Sequence, residues 1–302
     1  MFGKHKKLQL IARRLSTHEL TRLRESDISL EPQQLLAESP DERSTPYFLG
    51  FYSPSGIRLA LEKYGVFKAL KKKGFDGFEM VIDTRDPYRH RFALYFDHTV
   101  DEHTLLAEVV LKRRFITFCP PFPSPVHGRS YEFLQVEWLV LQNPRKSFSP
   151  ERPRLPGQKY PGLGMGEMVL EILLIMCWRL GLAGLLNVPE YYHNAQMYAQ
   201  EFCFIDPYLE GKLRALERDL YASHGLAKSS WAIELGCVEE NGKPYEWQSG
   251  EMIIPLNRDL KAFFKHASYQ QYVAKIKEQY QYRLNERCWE ERKQKLPDGV
   301  LL

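Results

Sequence analysis

A chain of 302 residues with 44% hydrophobic and 13% aromatic content can bury a sizeable core, which excludes a wholly disordered protein. The formal charge of +4 is small for this length and its cations are scattered, so a nucleic-acid partner is not called for. Five cysteines, Cys119, Cys177, Cys203, Cys237 and Cys288, form no C-x-x-C pair, and their wide spacing is that of reduced thiols in a cytoplasmic protein.

In chain order, Leu8 to Leu23 reads as a basic helix opening an N-terminal arm, followed by a polar stretch with Pro32, Pro40 and Pro46. The first fifteen residues lack a continuous apolar segment and a small-residue cleavage site, so no export is expected. Ser55 to Gly74 reads as a helix with Ile57, Leu61, Val66 and Leu70 apolar, and the run Lys71-Lys72-Lys73 suits its C-terminal dipole as a solvated cap. Strands are expected over Phe78 to Asp83, Arg91 to Phe96, Leu105 to Phe118 and Tyr131 to Gln142, the first two joined by a turn at Asp86-Pro87-Tyr88.

A proline-rich insertion, Arg145 to Tyr160, carries Arg145, Lys146, Arg152, Arg154 and Lys159. These cations either reach a ligand's phosphates or belong to a solvated loop. It leads into Tyr160-Pro161-Gly162-Leu163-Gly164-Met165-Gly166-Glu167, three glycines at alternate positions opening into an apolar helix, Gly164 to Leu182. Glycine allows close backbone approach and a helix start offers unpaired N–H groups, so this stretch reads as an anion site. No Lys-Ser or Lys-Thr follows, which excludes a Walker loop, and Pro153, Pro156 and Pro161 forbid the strand that a dinucleotide fold would need there. The helix is broken by Glu167, Glu171 and Arg179, so it is a core helix and no membrane span is expected.

A strand, Gly184 to Val188, a helix through Tyr192, His193, Asn194, Ala195, Met197 and Tyr198, and a strand at Phe202 to Ile205 follow. Leu209 to His224 reads as a charged helix. Trp231 to Glu239 and Trp247 to Leu256 read as a hairpin turned at Glu240-Asn241-Gly242-Lys243. His266 to about Lys295 reads as one long helix with Tyr269, Tyr272, Ile276, Tyr280 and Leu284 on a packing stripe.

Over residues 130–206 the chain resembles the GNAT superfamily of acyl-CoA N-acyltransferases. Gly164-Met165-Gly166 is similar to that family's G-x-G/A loop, and Val188 to Tyr198 is similar to its helix bearing an Asn and a Tyr. The family's Arg or Gln falls on Pro161, or on Lys159 in the other register. The resemblance implies a mixed α/β fold with a mostly antiparallel central sheet flanked by helices. Residues 1–54 would form the arm, 55–260 the acyltransferase core, and 261–302 a C-terminal helix packed on it.

It further implies acetyl-CoA or another acyl-CoA as co-substrate and a small-molecule or peptide amine as acceptor. The backbone of Gly162, Leu163, Gly164, Met165, Gly166 and Glu167, with Lys159 and Asn194, would hold the coenzyme, and the strand end near Leu139 and Leu141 would receive the thioester carbonyl. Tyr198 would protonate the leaving thiolate, with Tyr191 and Tyr192 as fallbacks. For the base, Glu137 lies in an apolar strand where desolvation is expected to raise its pKa. A carrier that binds acyl-CoA without catalysis, or an interaction protein keeping only the fold, is the alternative. None of the nine histidines has metal-ligand spacing, so no metal is expected, and a homodimer is compatible with the chain.

Overall fold

The computed structural model describes residues 6–24, 27 and 45–300. The stretch around Pro32 and Pro40 lies outside the described residues. The chain is mixed α/β and its strand pairs are antiparallel wherever a register is defined. It divides into two compact units, 1–114 with 133–144 and 162–182, and 115–132 with 145–161 and 183–302.

The first unit holds helices α1 (Lys6–Arg14), α2 (Thr17–Thr21), α3 (Pro54–Tyr64), α4 (Val66–Lys72) and α5 (Gly166–Arg179). Its strands β1 (Glu79–Asp83), β2 (His90–Tyr95), β3 (Leu105–Thr117) and β4 (Ser130–Leu141) lie in that order, with the ends Phe115–Thr117 and Ser130–Glu132 counted in the second unit. Two helices read as continuous are broken. Ser16 and Glu19 form a reciprocal capping box that restarts the arm as α2, and Gly65, at φ 82°, ends α3 before α4 begins. Hydrophobic periodicity runs through both breaks, which is why it hides them. The unit's core gathers Leu20, Leu70, Phe75, Ala93, Leu106, Leu111, Phe133 and Leu134, each about 1% exposed or less. Arg179 of α5 clamps the arm by donating to the carbonyls of Ala12 and Leu15.

The second unit holds β5 (Gly184–Asn187), α6 (Tyr192–Tyr198), β6 (Cys203–Phe204), α7 (Pro207–Leu216), α8 (Ala222–Glu234), β7 (Val238–Glu240), β8 (Lys243–Pro244), β9 (Met252–Pro255), α9 (Arg258–Lys265), α10 (Ala267–Gln279), β10 (Tyr282–Leu284) and α11 (Glu286–Arg292). A π-helical turn, Glu217–Tyr221, joins α7 to α8.

Three expectations are corrected here. Trp231 to Glu234 is helical, so the expected strand shrinks to β7, and the Asn241-Gly242 turn pairs β7 with β8 rather than with residues 247–256. Met252–Pro255 instead lies between β5 and β6. The long C-terminal helix stops at Gln279. Tyr282–Leu284 becomes a strand on β7, and Asn285 caps α11. Helix α9, capped by Asn257 and burying Leu260, Phe263 and Phe264, had no counterpart in the sequence reading.

The cysteine expectation also changes. Cys237 and Cys288 are joined in a disulfide, leaving Cys119, Cys177 and Cys203 as free thiols. No described helix is long and apolar enough to cross a membrane.

Candidate anion loop and acceptor cleft

After β4 ends, Gln142 and Gly162 form an antiparallel bridge, and the N–H of Leu163 donates to the carbonyl of Leu141 at 3.1 Å. That pairing fixes the phase of the glycine run. Pro161, Leu163 and Met165 point inward and are buried, whereas Gly162, Gly164 and Gly166 form an exposed edge. The amides of Gly162, Gly164, Met165 and Gly166 meet no acceptor among the described residues, and the first helical bond of α5 runs from Val169 to Met165. Gly164 sits at φ 70°, where an L side chain is strained, and nothing lies within 4 Å of a Cβ built on Gly166. Leu163 therefore leaves the set of amides expected to face a ligand, because its N–H is already bonded.

The sequence reading missed a cation here. Lys73, just past the end of α4, puts its Nζ 3.5 Å from a Cβ built on Gly164. It makes no ion pair among the described residues. The lysine run is thus in part a solvated cap, with Lys71 on Asp76 at 3.1 Å, and in part a charge beside the glycine edge. Its 89-residue distance from the loop kept it out of any sequence motif.

Leu139 and Leu141 are half-buried on the last turn of β4's run. Glu137 departs from expectation. Its carboxylate takes hydrogen bonds from Lys112 on β3 and Arg89 ahead of β2. Burial pushes its pKa up, but those two cations outweigh burial and the net direction is down. The sequence could not show which cations lie opposite Glu137 across strands. Around it opens a cleft of about 540 Å3 within the first unit, lined by the β1–β2 hairpin and by Glu108, Val110, Glu137 and Trp138.

Asn194 and Tyr198 lie on α6 in the second unit. Asn194 is half-buried and its N–H donates to the Tyr191 carbonyl at 3.1 Å. Tyr198 packs on Phe202 with ring centroids 5.5 Å apart, and burial raises its phenol pKa, so it is protonated at neutral pH. Tyr192 is buried and donates to Gln196 at 3.3 Å. Tyr191 stacks on His193 at 5.5 Å and lies against Gly157, where a Cβ would come within 2.9 Å of its ring. His193 is 3% exposed, its Nδ1 has no partner among the described residues, and burial pushes its pKa down to about 4.

The insertion's cations are only partly available. Arg154 donates to the carbonyls of Gln158 at 2.8 Å and Asp298 at 3.2 Å, and its own carbonyl accepts from the Trp231 indole at 2.7 Å. It is an internal brace of the second unit rather than a phosphate ligand. Lys159 has its ammonium 5.7 Å from the centroid of the neighbouring Tyr160 ring.

No family model matches the chain, and no curated protein matches it. Among solved structures, a chain from the crystal structure of the KacTA–DNA complex is similar over 54% of this chain and 78% of that chain, at 17% identity and a TM-score of 0.24. A likeness at that score fixes neither fold nor partner.

Proposed function

We propose that the chain is an acyl-CoA-dependent N-acyltransferase of the GNAT type, moving an acetyl or longer acyl group from the coenzyme thioester to an amine by direct attack. The observation that carries this reading is the glycine edge. Four amides that meet no acceptor among the described residues lie between the end of β4 and the start of α5, with the Lys73 ammonium beside Gly164. Such donors suit a diphosphate, and Lys73 supplies the cationic side chain that Pro161 cannot.

In this scheme the amine nitrogen attacks the thioester carbon, the C–N bond forms, the C–S bond breaks and the thiolate leaves protonated, the Tyr198 phenol being the acid that the family resemblance implies. The amine's proton passes to Glu137. Held ionised by Arg89 and Lys112, Glu137 is a weak base, so the rate should rise with pH as the acceptor amine itself loses its proton. An acyl-CoA substrate fits a cytoplasmic activity, where the Cys237–Cys288 bond would be open to reductant at the half-buried Cys288 and not at the buried Cys237.

The ion pairing of Glu137 also favours a second reading, a binder of acyl-CoA without catalysis. Thermal-shift titration with acetyl-CoA and longer acyl-CoAs, followed by thiol release over an amine panel, separates the two. Gly164→Val should abolish the melting shift, since it combines a strained φ with a side chain pressed on Lys73. Binding without thiol release would leave only the carrier reading. If no CoA thioester raises the melting temperature, both readings fall.

A further inference from the structure

We propose that the cleft beneath the β1–β2 hairpin receives the acyl acceptor, and that the acceptor is a dipolar amine, an α-amino acid with an aromatic or large apolar side chain. This rests on the acyltransferase reading.

The floor is a cross-strand row in which Asp83 of β1 sits opposite Arg91 of β2, and Arg91 opposite Val110 of β3. Arg85, Asp86 and Arg89 of the hairpin line it as well, and Arg89 reaches past β3 to Glu137 on β4. Glu137 lies two residues before Leu139, which the reading gives to the thioester carbonyl. The cleft and the reacting bond would then share one stretch of β4. A volume of about 540 Å3, open to solvent, has room for a small molecule.

Charge decides what fits. Arg85 pairs with Asp83 at 2.5 Å, Arg91 with Glu108 at 2.5 Å, and both Arg89 and Lys112 with Glu137. Asp86 accepts the Tyr88 N–H at 2.8 Å and makes no ion pair among the described residues. Four cations thus face four carboxylates, so the field neither attracts a polyanion nor a polycation. A ligand carrying both signs can trade into this lattice without stranding a charge. Its ammonium would enter between Asp86 and Glu137, which line the same cleft and of which Glu137 takes its proton, and its carboxylate would meet the forks of Arg85 and Arg89, whose side chains are 80% and 56% exposed. The Trp138 indole N–H is held by Glu108 at 3.0 Å while the residue stays 47% exposed, which leaves a fixed ring for the acceptor's side chain.

The test is calorimetric titration of the full chain with L-phenylalanine, phenethylamine and 3-phenylpropionate, with and without acetyl-CoA. L-Phenylalanine should bind at least about tenfold more tightly than either half-molecule. Arg85→Met should weaken L-phenylalanine about tenfold while leaving phenethylamine unchanged, since Arg85, which pairs with Asp83 and not with Glu137, acts on the carboxylate. The Arg85→Met sample must melt with the wild type, which separates a lost contact from a lost fold. Phenylalanine binding no tighter than phenethylamine, or no heat at all, overturns the proposal. Acetyl-CoA melting shifts read on the same samples keep the two ideas apart. A coenzyme shift without amino-acid binding overturns the cleft assignment alone, and amino-acid binding without a coenzyme shift overturns the acceptor role.

Discussion

Breaking the Cys237–Cys288 bond is expected to cost the second unit about 4 kcal/mol. The two cysteines are 51 residues apart in sequence. Tethering a loop of that length removes about 14 cal/mol/K of chain entropy from the unfolded ensemble, or about 4 kcal/mol at 298 K. The folded side should change little, because backbone contacts already hold both ends. The Asn285 N–H donates to the Cys237 carbonyl at 2.9 Å, the Cys237 N–H donates to Ala232 at 2.8 Å, and the Asn285 side chain accepts from the Cys288 N–H at 3.0 Å. Cys237→Ala with Cys288→Ala should therefore fold and match the reduced wild type. In urea unfolding followed by the fluorescence of buried Trp231 and Trp289, a slope of about 2 kcal/mol/M converts the loss into a midpoint shift of about 2 M. A shift below about 0.5 M, in both the reduced protein and the double variant, would refute the entropic account.

His193 supplies a pH test. Its neutral form is favoured in the fold, with the pKa held at about 4 by burial against about 6.5 when unfolded. The stabilisation, roughly 3 kcal/mol, is full above pH 6.5 and is lost as pH falls toward 4. His193→Phe should flatten the acid limb of an unfolding free energy measured from pH 7.5 to 4.5. Lys73→Gln should weaken acetyl-CoA about tenfold by calorimetry and lessen the salt dependence of binding. Lys212, 4% exposed, lies 2.7 Å from Glu240 with the rings of Tyr208, Tyr245 and Tyr280 around its ammonium. Lys212→Met keeps the stem but leaves the Glu240 carboxylate with the Tyr282 hydroxyl and no cation, and should cost about 2 kcal/mol in the same urea assay.

The strands β1 to β6 and helices α5 and α6 were legible because each carries its own local signal, a β-rich or alternating run between turn residues, or an apolar helical stripe such as the one that Gly181 ends after α5. Misreadings arose where a local signal needed a distant partner. Asn241-Gly242 announces a turn, but only packing decides that β8 rather than β9 answers β7. Tyr280 and Leu284 keep helical spacing, yet Tyr282 is buried on a strand, an outcome set by its pairing with Glu240. Asn257 followed by Leu260, Phe263 and Phe264 was a readable signal for α9. The same limit governed the site. Gly162 to Gly166 was visible as a loop, whereas Lys73, Arg89 and Lys112 come to it or to Glu137 only through the fold.

The two-sided glycine run has one further consequence. Since Pro161, Leu163 and Met165 alternate with the three glycines, an extra residue inserted before Gly162 would invert the parity of the whole segment. Bulky chains would then swing into solvent and bare positions into the core, so this loop should accept a small side chain at Gly162 yet reject a one-residue change of length. Soluble expression of an Ala insertion after Pro161, compared with Gly162→Ala, reads that difference directly.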